Sequence, residues 1–322
     1  MRLDPTSPGA ISEAVLEQLR LVDEDGDYYA TTGITLTMMY AQRMGELVPV
    51  FRQMAQLFDS YIHPHVLDAY KRSEDWRDYK PKQLERMLNK FTAYREYGEE
   101  LLLAKIDGKF QYFGEFGLRI KGRCDAKDSP FRHTDVCAAY FELPMHEVAR
   151  VGRDKLLAFV RSIADLAPFV HGSCGYNFKY FHRQGDSDIH EWMGQNALRF
   201  TAVHPFANGW ELRCRAFLPN VNWVTLLGQS LVGQLGGMPA IQGAVAAPVE
   251  VQTLAHGCML VAGAHPPLGD VNQQAADIAA LRQVAQLTQP VLLPRETQAN
   301  EILNQLYAEE EDRYRWLDRF KL

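Results

Sequence analysis

Two Asp-Gly pairs constrain the fold of this chain more than any other feature. Asp25-Gly26 lies inside LRLVDEDGDYYATTGITLTMMY and Asp107-Gly108 inside LLLAKIDGKFQYFGEFGLRIKG, each flanked by β-branched and aromatic residues. A two-residue type I′ turn needs positive φ at both central positions, which Asp-Gly supplies at low cost, so both segments read as antiparallel hairpins. The first predicts a strand, a turn and two further strands, the last over 33–40.

Between the hairpins the apolar spacing lengthens to three and four. Leu47, Phe51, Met54, Ala55 and Phe58 predict a helix that tolerates Pro49 only in its first turn. Pro81 opens another, with Leu84, Met87, Leu88 and Phe91 on one face. Leu156, Phe159, Val160, Ile163 and Ala167 mark a third, closed by Pro168. Shorter helices are expected around Ile11–Leu19, around Ile278, Leu281 and Ala285, and in the terminal RYRWLDRF. Asn222 is read as the N-cap of a helix carrying Val224, Leu227, Leu231 and Leu235, stopped by Gly236-Gly237. Strands are expected over 137–143, in HGSCGYNFKYF and WELRCRAF, and over 249–254 and 258–262. Hairpins mixed with helices in no βαβ rhythm predict an α+β fold, with mixed and antiparallel sheets and packed helices. The composition turns polar around Asp186, which suggests an N-terminal lobe over 1–200 and a C-terminal lobe over 201–322.

Composition narrows the function. A 322-residue chain that is 47% hydrophobic and 23% charged has enough apolar surface for about two packed cores and is no disordered segment. Its formal charge of −6 weighs against binding nucleic acid through phosphates. No stretch approaches the roughly 20 apolar residues of a membrane helix. The opening MRLDPTSPGA carries Pro and Gly where a secretory signal has its apolar core. Cys124, Cys137, Cys174, Cys214 and Cys258 form no CxxC pair and read as reduced thiols, so a cytoplasmic protein is expected.

Motifs for chemistry are sparse. Cys174 in His171-Gly172-Ser173-Cys174-Gly175-Tyr176, with His182, His190 or His204 later, admits a thiol–imidazole reading. A buried strand thiol is the simpler account, because the motif lies on an expected strand. His63-Pro64-His65 lacks a third ligand at a recognisable spacing. Asp23-Glu24-Asp25-Gly26-Asp27 differs from an EF-hand loop, which needs Gly sixth and Glu twelfth, where this chain has Gly26 fourth and Ile34 twelfth. GQSLVGQLGG lacks the Lys-Ser/Thr of a phosphate loop. No catalytic, cofactor or metal site is predicted, and binding is the expected role.

Five blocks, taken in order, carry a resemblance. They are LRLVDEDGDYYATTGITLTMMY, FGEFGLRIKG, NVNWVTLLGQSLVGQLGG, LAHGCMLVAGAHPPLGDVN and RYRWLDRF. Together they resemble the type VI secretion immunity family, over about Leu16 to Phe320. The most specific pieces are Val221-Asn222-Trp223 leading into Leu226-Leu227-Gly228, the loop from Gly263 to Asp270, and Trp316-Leu317 with Arg319-Phe320. Val261 stands where a glutamine is common in the family, and Lys321-Leu322 where the last motif usually ends in Asp.

The resemblance implies a cytoplasmic antidote, not an enzyme, that binds a cognate secreted nuclease toxin of restriction-endonuclease type. It would occlude the toxin's cleft or block its assembly, with no cofactor, nucleic acid or membrane as partner; self-association is left open. A nuclease cleft is positive, so acidic surfaces are the candidate contacts. These are Asp23, Glu24, Asp25 and Asp27; Glu96, Glu99 and Glu100; Asp186, Asp188 and Glu191 with Trp192; and Glu309 to Asp312. Nearby aromatics are Tyr28, Tyr29, Tyr94, Tyr97, Tyr314 and Trp316. Charge runs are also common on merely solvated faces, and large aromatics are common in cores. Two other classes stay open at this point: a hydrolase using Cys174 with His190 or His204, and a secretion-system adaptor.

Overall fold

In the computed structural model, which describes residues 11–72, 75–92, 99–110, 113–122, 136–180, 187–205, 214–272, 278–301 and 303–321, the long run Tyr28–Tyr40 forms one unbroken strand. The strands are β1 (Arg20–Val22), β2 (Tyr28–Tyr40), β3 (Ala69–Arg72), β4 (Asp75–Asp78), β5 (Glu99–Ala104) and β6 (Gly117–Gly122). They continue with β7 (Cys137–Pro144), β8 (His171–Tyr180), β9 (Val224–Gly228), β10 (Val249–Leu254) and β11 (Gly257–Ala262). All join one open sheet in the order β10-β11-β9-β8-β2-β7-β6-β5-β3-β4, with β1 beside the start of β2. Every strand pairing is antiparallel. The fold is therefore α+β.

β2 holds the centre because both of its backbone rows are used, against β7 on one side and β8 on the other. Its side chains alternate: Ile34, Leu36, Met38 and Tyr40 enter one core, while Thr31, Thr35, Thr37 and Met39 are buried on the opposite face. The first face is covered by the helices Val48–Ile62 and Arg153–Ala164. Phe58 and Tyr61 meet Phe159 at ring-centroid distances of 6.0 and 4.2 Å, and Phe58 lies edge-on to Phe141 of β7 at 5.4 Å. On the second face, Leu227, Cys258 and Leu260 pack with Leu231, Ile241, Leu281 and Val284 from three C-terminal helices.

Several local expectations change. The first hairpin closes through a three-residue loop, Glu24-Asp25-Gly26, with Gly26 at φ 81° and an Asp23 N–H bond to the Asp27 carbonyl of 2.9 Å. Gly26 takes the left-handed conformation, and the loop is one residue longer than a two-residue type I′ turn. The two strands expected after this turn are the single β2. The second Asp-Gly pair lies inside the 105–116 connection between β5 and β6 rather than joining them directly. There Phe110 N–H reaches the Asp107 carbonyl at 2.9 Å, and Lys105 N–H reaches Phe116 at 2.9 Å.

The expected helix from Asn222 is half strand. Val224–Gly228 is β9, held between β8 and β11, and only Gln229–Gln234 is helical. Spacing of three and four suited either structure locally; two neighbouring strands with open hydrogen-bonding rows decided it. The Asn222 side-chain carbonyl accepts the Trp223 N–H at 2.8 Å instead of capping a helix. The strand expected in WELRCRAF does not form over its described half, 214–217, and 210–213 lie outside the described residues.

Candidate partner-binding surface

The acidic run after β1 is a self-contained turn. Asp23 Oδ1 accepts the N–H groups of Asp25 at 3.0 Å and Asp27 at 2.8 Å, which leaves Glu24 and Asp25 pointing into solvent. Tyr28 N–H then bonds the Lys109 carbonyl at 2.9 Å, and Tyr28 lies edge-on to Phe110 at 5.1 Å. These contacts bring the Asp107 turn beside the hairpin tip.

The same end of the sheet receives the third segment. Ala30 of β2 pairs with Tyr180, the last residue of β8, and Tyr180 meets His190 at 6.1 Å. His190 belongs to the helix Ser187–Arg199, whose first turns expose Asp188 and Glu191. Asp23, Glu24, Asp25, Asp27, Asp107, Asp188 and Glu191 thus share one end. The cations among them are partly engaged: Lys105 is ion-paired with Asp107, while Arg20 and Lys109 lie over the Tyr28 ring at 5.5 and 5.7 Å. The Lys105 hydrogen bond holds the Asp107 carboxyl below its ordinary range. Sequence reasoning missed Asp107, because an Asp-Gly turn reads as structure and nothing local reports the Tyr28–Lys109 contact.

Other candidates fall elsewhere. Glu99 and Glu100 pair in register with Gly122 and Lys121 at the opposite end of β5 and β6, and Glu100 is bound by Arg119. Glu96, Asp186, Tyr94 and Tyr97 lie outside the described residues. Trp192 is half-buried and edge-on to Phe178 at 5.1 Å. Glu309, Glu310 and Glu311 are exposed at the start of the helix Glu310–Leu317. That region docks on Ser187–Arg199 through Tyr307 Oη donating to the Gly194 carbonyl at 3.2 Å. Trp316 is a core residue, with the Arg319 guanidinium 3.4 Å from its ring centre.

The thiol reading fails on geometry. Cys174 is fully buried on the core face with Tyr176 and Phe178; burial, reinforced by the Glu147 charge, pushes its thiol up. His171 lies three positions earlier on the other face, where burial lowers it to about 4. His190 packs on Tyr180, and His204 meets Trp316 at 5.5 Å. The glycines around Cys174 serve packing. A Cβ on Gly172 would come within 2.5 Å of the Thr37 carbonyl, and one on Gly175 within 1.9 Å of Asn222 Oδ1. His65 stacks on Phe116 at 4.7 Å. Among the described residues, no three His, Cys, Asp or Glu side chains are grouped to hold a metal, and no helix is long and apolar enough to cross a membrane.

The C-terminal sequence blocks that carry the resemblance meet in the interior. Trp223 is fully buried and donates its indole N–H to the Gly263 carbonyl at 3.1 Å. Arg199 pairs with Asp270 at 3.2 Å, Thr201 Oγ1 donates to the Gly269 carbonyl at 2.9 Å, and Arg319 Nε reaches the Thr201 carbonyl at 3.0 Å. These blocks build the scaffold rather than the acidic end.

Comparison with known proteins agrees with this architecture. Residues 50–320 match the model of the TsiV family, described as type VI immunity for VRR-NUC. A solved structure, the Pseudomonas aeruginosa type VI secretion system protein PA0821, superposes with a TM-score of 0.74 at 17% identity. The superposition covers 95% of this chain and 90% of that one. No curated protein sequence matches the chain.

Proposed function

The chain belongs to the TsiV family of type VI immunity proteins for VRR-NUC, and on that premise we propose that it neutralises a cognate nuclease effector by covering the effector's DNA-binding cleft with its acidic end. The family match over 50–320 carries the reading. Supporting it, the Tyr28–Lys109 and Tyr180–His190 contacts bring the segments that carry Asp23, Glu24, Asp25, Asp27, Asp107, Asp188 and Glu191 to the same end of the sheet. A cleft that holds a phosphate backbone is lined with cations, and a complementary negative surface accelerates encounter with it. The protein works in the cytoplasm by binding alone. The thiol that the sequence offered as a nucleophile, Cys174, is a packing residue.

Stopped-flow association with the neighbouring-gene nuclease tests the proposal. Reversing Asp25, Asp27, Asp188 and Glu191 to Lys is expected to slow association at low salt by at least ~10-fold, with the difference shrinking as salt rises. DNA cleavage should be blocked stoichiometrically by the unaltered protein. Unchanged association after charge reversal sinks the acidic-end reading; failure to block cleavage sinks the immunity role for that effector.

A further inference from the structure

A second site lies away from the acidic end, against the C-terminal residues. A cavity of about 390 Å³ opens between the 219–221 segment, the stretch around 285–298 and residues 317–321. That size is in the range of small-molecule sites. Part of its wall is apolar, supplied by Val221, Leu292, Leu317 and Phe320.

The polar part is built around Arg319. Its guanidinium lies 3.4 Å from the Trp316 ring centre and 4.4 Å from that of Phe320. Nε is tied to the Thr201 carbonyl at 3.0 Å and Nη1 to the Trp316 carbonyl at 2.9 Å. Stacking and two hydrogen bonds fix the plane, while Nη2 has no hydrogen-bond partner among the described residues. No carboxylate among the described residues pairs with it either. The adjacent Asp318 is taken by Arg295 at 2.6 Å and Lys321 at 2.7 Å. Arg319 is part-buried, and desolvation draws its guanidinium down to about 9. Across the cavity, Asn220 is only 8% exposed, and its side-chain amide has no hydrogen-bond partner among the described residues.

A part-buried guanidinium edge and an amide with no hydrogen-bond partner among the described residues, both facing one cavity, are groups that a ligand can complete. Arg319, Arg295 and Lys321 outweigh the single carboxylate of Asp318 on this wall, so the missing group is anionic. A guanidinium held in a fixed plane suits a planar acceptor. We propose that this cavity is a binding site for a carboxylate carried on a short apolar stem, with Arg319 Nη2 and the Asn220 amide gripping the carboxylate. The stem would lie along Val221, Leu292 and Phe320. This inference stands apart from the immunity reading.

Calorimetric titration of the full chain with octanoate, octanamide and inorganic phosphate tests it. Octanoate is expected to bind with Kd below about 1 mM, at least ~10-fold tighter than octanamide, and phosphate more weakly than octanoate. Arg319→Gln should bring acid and amide to equal affinity. Should that variant fail to fold, Ala285→Phe narrows the cavity from its helical wall and should weaken octanoate at least ~10-fold while leaving the unfolding transition in place. The proposal is overturned if octanoate fails to bind at about 10 mM, binds no better than its amide, or ignores Ala285→Phe.

Discussion

Gly175→Ala puts the scaffold under the most direct strain. The added Cβ would lie 1.9 Å from Asn222 Oδ1 and 2.5 Å from its Cγ, far inside contact distance. Asn222 must retreat, and its Oδ1 is the acceptor for the Trp223 N–H at 2.8 Å. Trp223 is fully buried, so water cannot replace that acceptor. Leaving the N–H unsatisfied costs ~1–3 kcal/mol, and forcing an extra methyl into a packed contact costs a further ~1–3 kcal/mol. A loss of about 2–6 kcal/mol follows, or roughly 3–9 °C in Tm for a chain of this length if unfolding is two-state. Urea unfolding of the purified protein measures it. Asn222→Ala removes the obstacle, so the double variant should be less destabilised than the two single losses added together, by at least ~1 kcal/mol. A Gly175→Ala loss below ~1 kcal/mol, or strict additivity in the cycle, would refute the steric reasoning.

Three further outcomes are expected. His171 has a folded pKa of about 4 against 6.5 for the free side chain, because burial penalises its charged form. The unfolded chain then binds the extra proton as pH falls through 6.5 towards 4, so about 3 kcal/mol of stability should disappear across that window. Urea unfolding at pH 7 and pH 4 should show His171→Gln lacking this part of the decline; equal slopes would discount the burial effect. Cys174→Ala should leave toxin neutralisation intact and cost ~1–2 kcal/mol of stability, and a thiol reagent should reach Cys174 only after unfolding. Loss of neutralisation in a folded Cys174→Ala protein would revive a role for the thiol. Asp270→Ala leaves Arg199 without its carboxylate and Asn272 N–H without an acceptor, an expected loss of ~1–3 kcal/mol by the same unfolding assay; no change would remove this pair from the framework.

Local pattern carried the strand character of 33–40 and of β8, runs rich in β-branched and aromatic residues that are buried on both faces, and the helix around Phe51 and Phe58, whose three-four spacing matches its buried face. It failed at Val224–Gly228, where apolar spacing suited a helix and the choice was made by β8 and β11, distant in sequence. It also failed in the 105–116 connection, because an Asp-Gly pair signals a turn without stating how far the strands extend towards it. The acidic segments themselves were visible. Their grouping was not: the β2–β8 register sets the end of β8 beside the start of β2, where Tyr180 meets His190 of the Ser187–Arg199 helix, and the β5–β6 register sends Glu100 to the far end. Arg319 was legible only as part of a terminal aromatic motif, since the cavity beside it leaves no trace in local spacing.

An open sheet leaves two margins whose backbone groups are exposed to capture by another extended chain. Here β4 presents Asp75, Arg77 and Asp78, so an incoming strand would meet charge of both signs. On β10, Glu250 is bound by Arg153 and Gln252 by Arg161 at 2.7 Å, drawing those side chains towards the neighbouring helix. Both borders are thereby guarded against self-templating, a useful property in an antidote that must accumulate ahead of its poison without clumping.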